Sequence, residues 1–130
     1  MRLLRFLGAL VVAGLLGFGA ARAATIAPYS QAAFTTAQHE GKPILVYVTA
    51  PWCPTCAQQR PILSGLYDTP EFKDLQVFTV DFDTSKPLLH SLNVQMQSTL
   101  IAYHGSKEEA RATGITTPDA IHALLAKTKA

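Results

Sequence analysis

The stretch ILVYVTAPWCPTCAQQRPILSGLY, residues 44–67, decides the fold of this chain. Its first five residues, Ile44–Val48, are apolar throughout, which is typical of a strand covered on both faces of a sheet. A helix is predicted from Pro54 to Tyr67 directly afterwards. Cys53 and Cys56 stand where this strand meets this helix. The segment therefore predicts a strand–loop–helix unit of an α/β domain, with a C-x-x-C motif at the start of its helix.

Further strands and helices are predicted on both sides of this unit. They are an edge strand over Thr25–Tyr29, a helix from Ser30 to about Glu40, a strand over Leu75–Phe82, a short helix over Ser85–Leu92, a hairpin of Thr99–Tyr103 and Glu108–Thr113, and a last helix that begins at Thr117-Pro118-Asp119. This order begins as parallel βαβ and closes with an antiparallel hairpin and a covering helix. We expect a mixed central sheet of four to five strands with helices on both faces.

The N-terminal segment has the pattern of a secretory signal peptide. Two arginines in the first five residues precede the uncharged run 6–21, and Ala21-Arg22-Ala23 supplies small residues at a cleavage site. We expect residues 1–23 to be removed, leaving a domain over residues 24–130 in the periplasm. An uncleaved membrane anchor is the alternative, but the run spans 16 residues, whereas a spanning helix needs about 20.

The charge of the expected domain argues against a nucleic-acid partner. The full chain of 130 residues carries a formal charge of +2, but three of its arginines precede residue 24. From Ala24 onward, eight lysines and arginines face nine acidic residues, a net charge of −1. Such a domain lacks the basic stripe that binds phosphates.

The position of the two cysteines favours redox chemistry. A thiol at a helix N-terminus meets unpaired N–H groups and the positive end of the helix dipole, which together stabilise its thiolate. We expect the sulfur of Cys53 to face water as the nucleophile. Cys56, three residues later, would lie beneath the first turn as a shielded resolving thiol.

Other uses of a C-x-x-C motif fit this chain less well. Structural zinc needs four ligands, and the histidines His39, His90, His104 and His122 are scattered. Covalent haem attachment needs histidine at position 57, which is Ala57. A static disulfide that closes so short a loop would stabilise the fold little. We therefore expect no cofactor and no resident metal.

The chain resembles the thioredoxin family. The resemblance rests on the string W-C-P-T-C at residues 52–56, on Pro61 five residues after Cys56, and on Gly114 before the last helix. Among relatives, the chain is similar to secreted thioredoxins and to the C-terminal domain of transmembrane thiol:disulfide interchange proteins. The resemblance implies a thioredoxin fold and exchange of disulfides with partner proteins.

Two departures from the family's pattern concern the active site. Ser98 stands where thioredoxins have a cis-proline, and we predict a trans Gln97–Ser98 bond, because a cis bond before a non-proline residue costs about 2.5–4 kcal/mol. Tyr47 stands where they bury an aspartate that accepts a proton, and Thr79 replaces its lysine partner. Deprotonation of Cys56 then requires water or another group.

These observations predict a catalytic pair, Cys53 and Cys56, and a substrate-binding set around it. That set comprises Trp52, Pro54, Ser98 and Thr99. Trp52 is expected on the docking surface, because tryptophan is enriched at interaction hot spots.

The function predicted from the sequence is that of a secreted thiol–disulfide oxidoreductase, acting as a reductant. Its partners would be disulfide-bearing or dithiol proteins and a membrane redox partner that recharges the pair. A monomer is expected. Two alternatives stay open: a Cu(I)-handling protein in which Met96 assists the two cysteines, and a thioredoxin-like binding module without redox activity.

Overall fold

A computed structural model describes Gly17 and residues 23–129. Apart from Gly17 and Ala23, the predicted signal peptide, residues 1–23, lies outside the described residues, so it stays a prediction. Within the described part of the chain, no helix combines the length and the apolar character needed to cross a membrane.

The described residues form strands and helices in the predicted order. They are β1 (Thr25–Pro28), α1 (Gln31–His39), β2 (Pro43–Thr49), α2 (Pro54–Tyr67), β3 (Gln76–Asp81), α3 (Lys86–Ser91), β4 (Thr99–His104), β5 (Lys107–Thr113) and α4 (Pro118–Ala126). Short 3₁₀ turns cover Pro70–Phe72 and Lys127–Lys129.

The five strands form one mixed sheet in the order β1-β3-β2-β4-β5. β3 pairs in parallel with both β1 and β2, whereas β4 pairs antiparallel with β2 and β5. The predicted mixed sheet is therefore confirmed, with five strands. Pro28 lies on the edge strand, where a missing N–H does least harm.

Two hydrophobic clusters cover the two faces of the sheet. Leu45 of β2 packs with Leu63 of α2 and Leu125 of α4 on one face. On the other face, Val46 packs with Phe34 of α1 and Leu89 of α3, beside further residues of β3 and β4. Both faces of the central strand are buried, which explains why its sequence is apolar throughout.

Strand direction brings three loops to one end of the sheet. Because β2 and β3 are parallel, their last residues, Thr49 and Asp81, are register partners. Because β4 is antiparallel to β2, its first residue, Thr99, pairs with Val48 at the same end. The loops after β2 and β3 and the loop before β4 therefore meet there.

Candidate active site

A disulfide joins Cys53 and Cys56, whose Cα atoms lie 5.2 Å apart. Cys53 is the N-cap of α2, and its Sγ accepts a hydrogen bond of 3.1 Å from the backbone N–H of Cys56. Pro54 occupies the first turn of the helix, where its missing N–H costs nothing. The predicted position of the pair at a helix N-terminus is confirmed.

The expectation that Cys53 faces water is wrong for this oxidised form. Cys53 is 1% exposed and Cys56 is fully buried, and they pack with Ala50 and Phe82. Phe82 also packs against the hydrophobic cluster on the α1 face of the sheet. Pro51 and Pro54, which flank Trp52 and Cys53 in the sequence, are exposed.

Trp52 lies on the surface beside the disulfide, 56% exposed. Its indole Nε1 donates a 2.7 Å hydrogen bond to Oδ2 of Asp83, and its ring meets Phe82 edge-on at 6.5 Å between centroids. Phe82 and Asp83, which the sequence analysis did not place in the site, follow β3 at the end where Cys53 follows β2. The docking role of Trp52 stays a prediction.

The loop before β4 has a trans Gln97–Ser98 bond, as predicted, because residues 23–129 contain no cis peptide bond. Ser98 has φ +59° and is 5% exposed. Thr99 is also buried, and its hydroxyl donates to the Met96 carbonyl at 2.8 Å. Both residues are nearly buried, although Thr99 lines a cavity of about 270 Å³ beside Met96. The substrate-binding role of Ser98 and Thr99 stays a prediction.

Tyr47 lies directly behind the disulfide. Its hydroxyl donates to the Cys56 carbonyl at 3.5 Å, and burial raises the pKa of Tyr47. It borders a cavity of about 310 Å³ that is also lined by Arg60 and Thr79, and none of the residues that line this cavity is a carboxylate. A phenol therefore occupies the place behind Cys56 where the family has an aspartate, and no carboxylate lines the adjoining cavity.

Replacing Tyr67 by phenylalanine is expected to preserve or raise stability at pH 7. Tyr67 lines the same cavity, and its buried hydroxyl finds no hydrogen-bond partner among the described residues. An unsatisfied buried hydroxyl costs about 1–3 kcal/mol. The expected gain in the free energy of unfolding is therefore about 0–1 kcal/mol, measured by urea unfolding of the oxidised protein.

The same variant tests the alkaline behaviour of the fold. Burial raises the pKa of Tyr67 well above its ordinary value near 10, so the unfolded chain loses this proton at lower pH than the folded chain. Tyr67 thus makes stability fall as pH rises through 10, and phenylalanine removes that part of the fall. An unchanged slope between pH 9 and pH 11 would contradict this assignment.

The fold and the site together define a class of protein: an α/β thiol–disulfide oxidoreductase with a C-x-x-C pair at a helix N-terminus. The family model described as Thioredoxin matches residues 25–127. The chain belongs to the thioredoxin family.

Three relatives illustrate this membership. The solved structure of Trxlp from Edwardsiella tarda EIB202 is 46% identical, with a TM-score of 0.75 over 78% of this chain and 98% of that one. The thioredoxin of Chlamydia trachomatis serovar D is 29% identical over 84 residues, which are 65% of this chain and 80% of that one. Thioredoxin O2 from Arabidopsis thaliana, in its oxidised state, shares the fold with 22% identity and a TM-score of 0.64, over 81% and 93% of the two chains.

Proposed function

We propose that this protein is a secreted, periplasmic thiol–disulfide oxidoreductase that reduces disulfides in partner proteins. The observation that carries the chemistry is the hydrogen bond from the Cys56 N–H to the Sγ of Cys53 at the N-cap of α2. In the reduced protein, the same donor and the helix dipole would stabilise a Cys53 thiolate.

The reaction would proceed by two exchanges of sulfur bonds. The Cys53 thiolate attacks a partner disulfide, which forms a mixed disulfide and releases one partner thiolate. Cys56 then loses its proton to water and attacks the Sγ of Cys53, which releases the second partner thiolate. Two electrons pass to the partner, and the protein ends in the disulfide form with Cys53 and Cys56 joined.

A membrane redox partner would return two electrons to the pair, since a periplasmic protein is separated from cytoplasmic reductants. The signal-like sequence of residues 1–23 supports the periplasmic location. The similarity to the C-terminal domain of transmembrane interchange proteins supports electron transfer from a membrane partner. We propose that the protein works as a monomer.

The decisive experiment is insulin reduction by dithiothreitol, followed by turbidity, with and without the purified protein. We expect the protein to accelerate the reaction at least about tenfold, since a preformed thiolate attacks faster than a neutral thiol. Cu(I) binding is measured in parallel by competition with bicinchoninate. No acceleration together with tight Cu(I) uptake would favour copper handling, and neither result would favour a binding module.

Export is tested separately in a Gram-negative host that expresses the full chain with a C-terminal tag. The expected product lies in the periplasmic fraction and begins at Ala24, as read from its intact mass. A product that keeps residues 1–23 and sediments with membranes would indicate an anchor instead.

A further inference from the structure

Gln59 is a fully buried amide on α2 that has no part in the sulfur exchange described above. We propose that Gln59 is a positioning residue that holds the loop of residues 96–99 against α2 and so controls the docking of protein substrates. This role rests on the proposed exchange function, because it concerns how a substrate meets the same disulfide.

Gln59 joins three segments through one amide group. Its Nε2 donates to the Ser98 carbonyl at 3.2 Å, in the loop before β4, and to the Ile115 carbonyl at 3.0 Å, in the loop after β5. Because both neighbours are carbonyls, only the NH₂ end of the amide can face them. The orientation of Gln59 is therefore fixed by the two carbonyls, while its buried Oε1 has no hydrogen-bond partner among the described residues.

The loop needs such a contact because Ser98 has an unfavourable backbone conformation. A φ of +59° is a left-handed conformation, which is unfavourable for a residue with a Cβ. No proline ring restrains the backbone there. The Ser98 carbonyl also accepts from the N–H of Gly114 at 3.0 Å, so Gln59 and Gly114 together compensate for the strained position.

These bonds also limit how a substrate can pair with the loop. A carbonyl oxygen has two lone pairs, and both donors to Ser98 come from this chain. The Ser98 carbonyl therefore has no free lone pair to accept a hydrogen bond from a substrate strand. Pairing must use other backbone groups of the loop, whose positions depend on the contact with Gln59.

The test compares Gln59→Met with Gln58→Met. Gln58 is the exposed neighbour on the same helix, so the control carries the same substitution without the buried contact. Methionine keeps the approximate volume but cannot donate. Each variant is assayed for insulin reduction, giving KM and kcat, and for the stopped-flow reaction of its reduced form with oxidised glutathione, a disulfide too small to need the loop.

We expect Gln59→Met to raise KM for insulin about five- to tenfold, the effect of losing two buried hydrogen bonds. Its kcat and its rate with oxidised glutathione should stay within about twofold of the wild type, and Gln58→Met should match the wild type throughout. An unchanged KM would contradict the role. An equal loss with both disulfides would also contradict it, because Gln59 would then act on the cysteines themselves.

Two further outcomes are decisive. If Gln59→Met does not fold, hydrogen exchange of the side-chain NH₂ protons of Gln59 in the wild type gives the answer by NMR. Strong protection of both protons supports the two-bond contact, and exchange at the solvent rate overturns it. If the wild type and Gln58→Met both fail to reduce insulin, the exchange function itself is wrong, and the docking role is overturned with it.

Discussion

Replacing Cys53 by serine is expected to lower the rate of protein disulfide reduction by about a thousandfold or more, because a neutral hydroxyl cannot form the mixed disulfide. Serine is a good N-cap residue, and it can accept the bond from the Cys56 N–H that Cys53 accepts in the native protein. The start of α2 is therefore preserved, and lost activity reports lost chemistry. Insulin reduction and thermal unfolding, measured on the same preparation, check both expectations.

The matched variant is Cys56→Ser, which keeps the nucleophile and removes the resolving thiol. It should form the mixed disulfide with insulin and fail to release it, so that the adduct accumulates. Mass spectrometry without reductant would detect the adduct at the sum of the two masses. Adducts on Cys53→Ser, with none on Cys56→Ser, would mean that the two cysteines have the opposite roles.

The positions of the cysteines were predictable because local sequence decides them. An apolar run such as Ile44–Val48 has few alternatives to a buried central strand, and proline directly after Cys53 favours a helix start. Every β–α connection along the chain supports the same layered arrangement, so the order of elements follows from local patterns.

The burial of the disulfide was not predictable in the same way. The exposure of the disulfide depends on Phe82, which is distant in sequence from the cysteines. The pairing of β2 with β3 places Phe82 beside them. The link between Trp52 and Asp83 spans 31 residues for the same reason. A register argument, that the ends of neighbouring parallel strands meet, would have pointed to the segment after β3.

The burial of Gln59 could have been predicted from the spacing of residues along α2. The buried positions of α2 are Cys56, Gln59, Leu63 and Tyr67, a helical stripe with spacings of three and four. A glutamine in such a stripe has to find partners inside the protein. The sequence could therefore have identified a buried amide, but not the carbonyls that it contacts.

Replacing Ser98 by proline is expected to lower the free energy of unfolding by about 2–4 kcal/mol, although proline is the residue that thioredoxins have at this position. The ring holds φ near −65°, whereas Ser98 has φ +59°. The loop would have to leave its present path and give up the bonds that the Ser98 carbonyl receives from Gln59 and Gly114. Urea unfolding of the oxidised variant measures the loss.

Glycine at position 98 provides the control, because it adopts a positive φ without strain. Ser98→Gly should be as stable as the wild type or more stable by up to about 1 kcal/mol, since relief of the strain offsets the greater freedom of the unfolded chain. The opposite ranking, with proline more stable than glycine, would show that the loop has a second arrangement. The fold would then still accommodate proline at position 98. The loop conformation that Gln59 contacts would not be the only stable one.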